Sequence, residues 1–293
     1  MNAIELKKLT KYYGKARGII DVDLTVEKGD FFGFIGPNGA GKSTTIRALL
    51  GLIKPTSGTA NVLGHEIIAE KKDLLAKVGY LPSEAIFYHG MKVRDVLKLS
   101  ADLRGMDCSG EAKILCERLQ LDMSRKVDEL SFGNRKKVAI VAALQHKPEL
   151  YIMDEPTGGL DPLMQREFFD IMKEKNAEGA TIFLSSHILG EIQKNCNRAA
   201  IIREGKIIAC DTVDALAKTS AKRIYVQGNI AAENIEKLAE IRDISATHDG
   251  LNFLYGGKIN DLVAFLSNFD VEDLTIAEPD LEDIFMHYYE GGE

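Results

Sequence analysis

Cysteine is scarce in this chain and unpatterned: Cys108, Cys116, Cys196 and Cys210 are the only four in 293 residues, and no two form a C-x-x-C pair. That spacing excludes a zinc ribbon and gives no disulfide framework, so the four read as reduced structural thiols. No apolar run approaches the roughly 18 residues needed to cross a bilayer; the longest lies at Val138–Leu144. The first eight residues, MNAIELKK, lack the apolar core of a secretory signal, and a cytosolic setting is expected. Pro (7) and Gly (26) are too few for a fibrous or disordered chain. What is present, 45% apolar and 28% charged residues, is the balance of a globular protein of one large or two ordinary domains.

The net charge of −7 hides an asymmetry. Residues 1–228 carry 34 Lys/Arg against 29 Asp/Glu, a net of +5, whereas residues 229–293 carry 3 against 15, a net of −12. A break near residue 220 marks a domain boundary, expected between residues 1–218 and 222–293. The acidic part reads as a solvated surface and does not suggest nucleic-acid binding.

Strands and helices alternate through the first part. Residues 19–26 alternate, Gly29-Asp30 turns, and Phe31-Phe32-Gly33-Phe34-Ile35 runs apolar, a pattern that predicts a hairpin feeding a buried strand. A helix is expected over residues 44–50, a strand over 78–81, and a mostly helical subdomain over about 83–147. Further strands are expected at 150–153, 181–184 and 199–202, and Asp161-Pro162 starts a helix with Met164, Phe168, Ile171 and Met172 on one face. Such alternation implies a parallel α/β sheet. After residue 221 the reading changes: a strand at 224–227, a helix at 231–241, a hairpin at 244–247 and 251–255, a helix at 259–266, a strand at 274–277 and a last helix at 281–289. The order β-α-β-β-α-β fits a small split-βαβ, ferredoxin-like α+β fold.

Four segments carry chemistry. Gly36-Pro37-Asn38-Gly39-Ala40-Gly41-Lys42-Ser43 matches G-x-x-x-x-G-K-[ST]. Its glycines let backbone N–H groups turn toward phosphates, Lys42 reaches the β- and γ-phosphates, Ser43 can ligate Mg²⁺, and the following helix points its positive end at the anion. Leu150-Tyr151-Ile152-Met153-Asp154-Glu155 is a buried strand ending in two carboxylates at the sheet's carboxyl edge, where ligands bind. Asp154 is suited to holding Mg²⁺ and Glu155 to taking a proton from water. His187, in Ser185-Ser186-His187, falls at the same edge, though a lone histidine is as readily structural. Ser131 and Gly133, in Leu130-Ser131-Phe132-Gly133-Asn134, precede a basic helix, where a serine and a glycine either bind phosphate or simply cap the helix.

As a set these residues resemble the ATP-binding subunit of an ABC transporter. The order is the family's: the phosphate loop from Gly36 to Thr44, a region at Ser83, the signature at 130–134, Asp154-Glu155, the loop Gly158-Gly159-Leu160-Asp161, and His187. Tyr13 falls where the family places an aromatic that stacks on adenine. The resemblance covers about residues 3–218, and the tail ending Glu278-Pro279-Asp280-Leu281-Glu282-Asp283-Ile284-Phe285 is similar to that of ATPases serving drug, antibiotic or peptide exporters. It implies a P-loop NTPase (RecA-like) core, ATP and Mg²⁺ as ligands, and a homodimer with each ATP between the phosphate loop of one subunit and Ser131/Gly133 of the other. It further implies Glu155 as general base, His187 as sensor of the γ-phosphate, Asp161 as the link between the two sites, and Ser43, Asp154 and Ser83 around the metal. A separate membrane permease is expected to dock near Ser83–Met106, placing the protein at the cytoplasmic face of the membrane. The cluster Ile86, Phe87, Tyr88 and Met91 there reads equally as ordinary core.

Two departures stand out. Phe132 and Asn134 replace the glycine and glutamine of the usual Leu-Ser-Gly-Gly-Gln, and Ser83 stands where the family has glutamine. Ser83 reads either as a distant metal ligand or as the cap of a following helix. Fewer than 100 residues separate phosphate loop and signature, too few for the coiled coil of chromosome-type relatives. There is one cassette where translation-type relatives carry two, and no [NT]-K-x-D tetrapeptide reads guanine. A soluble or regulatory ABC-type ATPase without a transport role is the alternative.

Overall fold

The computed structural model describes residues 2–217 and 222–277, apart from 70, 237 and 248. In chain order the first part runs β1 (Asn2–Tyr13), β2 (Ala16–Glu27), β3 (Phe31–Ile35), α1 (Lys42–Leu49), β4 (Ser57–Val62), β5 (His65–Glu66), α2 (Lys71–Ala76), β6 (Val78–Leu81), α3 (Val93–Asp102), α4 (Ser109–Arg118), α5 (Phe132–Leu144), β7 (Leu150–Asp154), α6 (Pro162–Ala177), β8 (Thr181–Ser186), α7 (Leu189–Asn195), β9 (Arg198–Arg203) and β10 (Lys206–Thr212). The second part runs α8 (Val213–Ala217), β11 (Lys222–Gly228), α9 (Ala232–Ile235), β12 (Ile241–Ala246), β13 (Gly250–Tyr255), α10 (Ile259–Leu266) and β14 (Val271–Ala277). The chain divides into two compact units at Asp211/Thr212, a few residues before the break in charge.

The first unit holds two sheets. One is antiparallel, in the order β2-β1-β4-β5; the other has six strands, β10-β9-β3-β8-β7-β6, within which β3, β6, β7, β8 and β9 run parallel. All five residues of β3 are buried, as a strand between two parallel neighbours must be. Phe32 and Phe34 pack on Phe183 of β8 with ring centroids 5.9 and 5.3 Å apart. Gly33 is required in mid-strand because α7 lies against it: a Cβ there would sit 2.5 Å from Ile192 Cγ2.

The expected hairpin over residues 19–35 is not formed. Residues 19–26 belong to β2, which pairs with β1, while β3 pairs with β8 and β9 in the other sheet. Asp30 makes the crossing: its carboxylate accepts from Glu27 N at 2.9 Å, Asn197 Nδ2 at 3.1 Å and Arg198 at 3.1 Å, which ties the turn to the far sheet instead of to a hairpin partner.

The second unit's sheet is antiparallel, β12-β13-β11-β14, with core residues Ile224, Val226, Ile235, Phe253 and Leu262. Strand order and the β-α-β-β-α-β sequence are those of the ferredoxin-like fold. The helix expected over 231–241 shrinks to α9, and Ile241 starts β12. The helix expected over 281–289 and the 278–285 motif lie outside the described residues.

Candidate functional site

Three adjacent strands of the six-stranded sheet, β3, β8 and β7, end at one edge, and each hands its next residues to the same place. After β3 come Gly36 and the phosphate loop, after β7 comes Glu155, and after β8 comes His187. Local sequence shapes each exit. A Cβ on Gly36 would lie 2.5 Å from the Ile202 carbonyl oxygen, and one on Gly41, at φ +113°, 2.8 Å from Ile19 Cγ2, so the loop closes this tightly only with glycine at both positions. Helix α1 begins directly after Gly41, with no side-chain cap and no acidic residue in its first turn. Its free N–H groups and positive end are left for an external anion.

Lys42 lies buried within this loop. Its Nζ donates to the carbonyls of Gly36 at 2.6 Å and Pro37 at 3.2 Å, and stands 3.3 Å from Glu155 Oε1. His187 Nδ1 approaches the same Glu155 oxygen, also at 3.3 Å. One carboxylate oxygen therefore stands between the loop lysine and the histidine. Glu155 itself has φ +48°, an uncommon conformation for a side chain of this size; its N–H donates to the Ser185 carbonyl at 3.1 Å, which turns the chain out of β7.

Asp154 is buried, and its Oδ1 accepts a 2.6 Å hydrogen bond from Ser185 Oγ. A buried carboxylate with a single neutral donor retains acceptor capacity for a cation. The glycine cradle, the uncapped α1 terminus, Lys42 and Asp154 thus fit a polyphosphate with its Mg²⁺; Ser43 and Thr44 occupy the first turn of α1. Tyr13 ends β1, exposed, with Lys11 Nζ 5.4 Å above its ring. A Cβ on Gly18 would meet Tyr13 Cε2 and Thr44 Cγ2, each at 3.2 Å, so the tyrosine borders the loop helix. Asn38 and Gly39 form the exposed tip and Ala40 is buried.

Ser131 is the N-cap of α5, its Oγ accepting from Asn134 N at 3.3 Å, and Asp161 is the N-cap of α6, its Oδ1 accepting from Met164 N at 3.0 Å. Gly133 faces the 158–161 loop: a Cβ on it would lie 2.4 Å from the Gly159 carbonyl oxygen. The cap reading of Ser83 does not survive. The next helix after Ser83 is α3, whose N-cap is Lys92, and Ser83 lies exposed in an irregular segment. Ile86 and Tyr88 in that segment are exposed as well, so the ordinary-core reading fails for both.

Three features escaped the sequence reading. Ser185 was visible only as part of a Ser-Ser-His run, yet its hydroxyl holds Asp154. Phe132 packs its ring over Gly159. Lys136 reads in sequence only as part of a basic helix, but it is buried, with Nζ donating to the carbonyls of Pro82 at 3.1 Å and Ser83 at 2.9 Å. Burial pulls its ammonium down to about 8, against the upward pull of Asp154 and Glu155.

Known proteins are similar to this chain in sequence and in fold. The sequence profile described as "ABC transporter" matches residues 19–158. The bacitracin transport ATP-binding protein of Bacillus licheniformis is 37% identical over 99% of this chain and 98% of its own. The linearmycin resistance ATP-binding protein of Bacillus subtilis is 30% identical over 97% of both. Among solved structures, an ATP-binding subunit of an ABC transporter superposes with a TM-score of 0.69 at 32% identity, over 73% of this chain and 91% of that one. A nucleotide-free ATP-binding cassette gives 0.63 at 25% identity, over 72% and 92%. Near full-length identity at this level and a shared cassette fold, on top of an edge built for polyphosphate, leave one conclusion: the chain belongs to the ABC transporter family, as an ATP-binding subunit that hydrolyses ATP with Mg²⁺.

Proposed function

We propose that this subunit powers a separate membrane permease that exports a drug, an antibiotic or an antimicrobial peptide. Supporting the substrate class are the relatives: ATP-binding proteins of bacitracin transport at 37% identity, and of linearmycin and daunorubicin resistance at 30% each, all matched over nearly the whole chain. No helix among the described residues is long and apolar enough to cross a membrane; the permease would be a separate chain, with this subunit attached at its cytoplasmic face. The docking segment is Ser83–Met106, where Ile86 is 91% exposed and Tyr88 and Leu103 also face solvent.

The observation that carries the catalytic reading is the placement of Glu155 Oε1 at 3.3 Å from both Lys42 and His187, beside an uncapped helix terminus. When the γ-phosphate takes over the Lys42 ammonium, Glu155 is freed to accept a proton from the attacking water. His187 then senses the γ-phosphate, and Lys42 with the N–H groups of residues 39–44 neutralises the phosphates. Ser43, Asp154 and Ser83 would hold Mg²⁺, which would supply charge neutralisation for the phosphates when bound. Two subunits pair as a homodimer, with Ser131 and Gly133 of each facing the other's phosphate loop and Asp161 linking the sites. Tyr13 supports the adenine ring.

The test is Glu155→Gln, which keeps shape and one acceptor but removes the base. Hydrolysis is expected to fall by about 10²–10⁴-fold with ATP binding retained, and an ATP-dependent dimer should accumulate on a sizing column. Hydrolysis at the parent rate refutes the assignment. Co-purification of a membrane protein with the parent chain tests the permease.

A further inference from the structure

Strand β6 is the outermost strand on its side of the six-stranded sheet, and beyond Leu81 the chain leaves it. Pro82 has no N–H and cannot prolong the ladder. The carbonyls of Pro82 and Ser83 instead take a donor from α5. Lys136 is the fifth residue of that helix, only 2% exposed, and its ammonium binds both carbonyls. Two of its three donors are spent on one short stretch of main chain. The grip is on neutral main-chain oxygens, so this is not an ion pair that happens to be buried. The same helix begins at Ser131 and carries Gly133, which abuts the 158–161 loop. Three residues beyond Ser83 stands Ile86, the most exposed of the large apolar side chains among the described residues. One buried side chain thus fastens the helix that starts at the signature to the root of the exposed segment.

We propose that Lys136 is a positioning residue that transmits movement of the signature helix, on ATP binding, to the segment from Ser83 to Tyr88. The inference rests on the reading of Ser131 and Gly133 as phosphate-facing. Because the tether grips main-chain oxygens, it is indifferent to which side chain occupies position 83. That explains how a serine can stand there without breaking the connection, since the link runs through the backbone of residues 82 and 83.

The chain contains no tryptophan, so Ile86→Trp introduces a single emitter on the exposed segment. The experiment uses the full chain carrying Ile86→Trp and Glu155→Gln, with ATP affinity measured separately by radiolabelled filter binding. ATP is expected to shift the emission. In the further variant Lys136→Met the amplitude should fall by about tenfold, the scale on which removing a single coupling interaction acts, with any change in the ATP dissociation constant no larger than that factor, as reciprocity of the coupling requires. An undiminished amplitude in Lys136→Met, or no shift before that change in a protein that binds ATP, overturns the inference. Failure to bind ATP at all refutes instead the reading of the site on which it rests. Should Lys136→Met not fold, Lys136→Gln decides: it keeps two N–H donors on a stem one bond shorter, so an amplitude reduced about twofold or more supports the tether, and a full amplitude overturns it.

Discussion

Phe132 and Gly159 are expected to behave as a coupled pair, and the size of the coupling follows from the geometry. Gly159 has φ +81°, and a Cβ placed on it would come within 2.3 Å of Cδ1 and 2.4 Å of Cε1 of the Phe132 ring. Carbon contacts settle near about 3.5–4.0 Å, so Gly159→Ala must drive the ring away. The left-handed backbone costs a residue with a Cβ about 1 kcal/mol. The ring, 52% exposed, can swing out, giving up about 1 kcal/mol of half-buried apolar contact. Gly159→Ala should therefore destabilise the parent by about 2 kcal/mol, but a Phe132→Ala background by only about 1 kcal/mol, a coupling of ~1 kcal/mol. Gly133→Ala is the control. Its added Cβ would lie 2.4 Å from the Gly159 carbonyl oxygen, and main chain cannot swing aside, so Phe132→Ala should not relieve it. The assay is urea unfolding followed by circular dichroism on the four proteins of the cycle and on Gly133→Ala with and without Phe132→Ala. A coupling below about 0.3 kcal/mol, the ordinary scatter of additivity, would refute the claim that the ring's seat requires glycine at 159.

Three further outcomes are expected. Ser185→Ala removes the 2.6 Å donor from buried Asp154; unfolding free energy should fall by about 2 kcal/mol, and the Mg²⁺ concentration for half-maximal hydrolysis should rise severalfold, measured by titrating Mg²⁺ at fixed ATP. His146 is buried with Nδ1 unpartnered, and burial, aided by Arg104, holds its ring down at about 4. The unfolded ring, at its ordinary value near 6.5, binds a proton that the folded ring refuses, so stability present above about pH 6.5 is lost as pH falls toward 4. The loss between pH 7 and 5 is of order 2 kcal/mol; melts over that range should show a slope that is absent in His146→Gln. Finally, the two units have separate apolar cores, one drawn from residues 4–202 and the other from 224–274, so a chain ending at residue 218 should fold and bind ATP, by circular dichroism and filter binding. If it does neither, the units fold as one.

Whatever depends on neighbours within a few residues was legible in the sequence. The strand-loop-helix order around Gly36–Thr44, the buried run ending in Asp154-Glu155, and the apolar face Met164, Phe168, Ile171 and Met172 behind an Asp-Pro start are all of this kind. So is the split-βαβ order of the second unit. Where partners are distant, local pattern failed. Residues 19–35 carry a hairpin's alternation, but the Asp30 carboxylate binds Asn197 and Arg198, over 160 residues away, and divides the two strands between sheets. The helix expected over 231–241 lost its second half because Ile241 pairs with Tyr255 in β12 and β13. The site shows the same division. Residue types named Lys42, Asp154, Glu155 and His187, but only the parallel register of β3, β8 and β7 brings Lys42 and His187 to one oxygen of Glu155. Lys136 is the sharpest case. In sequence it is one of three consecutive basic residues; the packing of α5 over the end of β6 buries it against two carbonyls that no local pattern could have announced. Hydrogen-bond demand left open at a sheet edge is a property of the folded chain, and only the fold shows which side chain satisfies it.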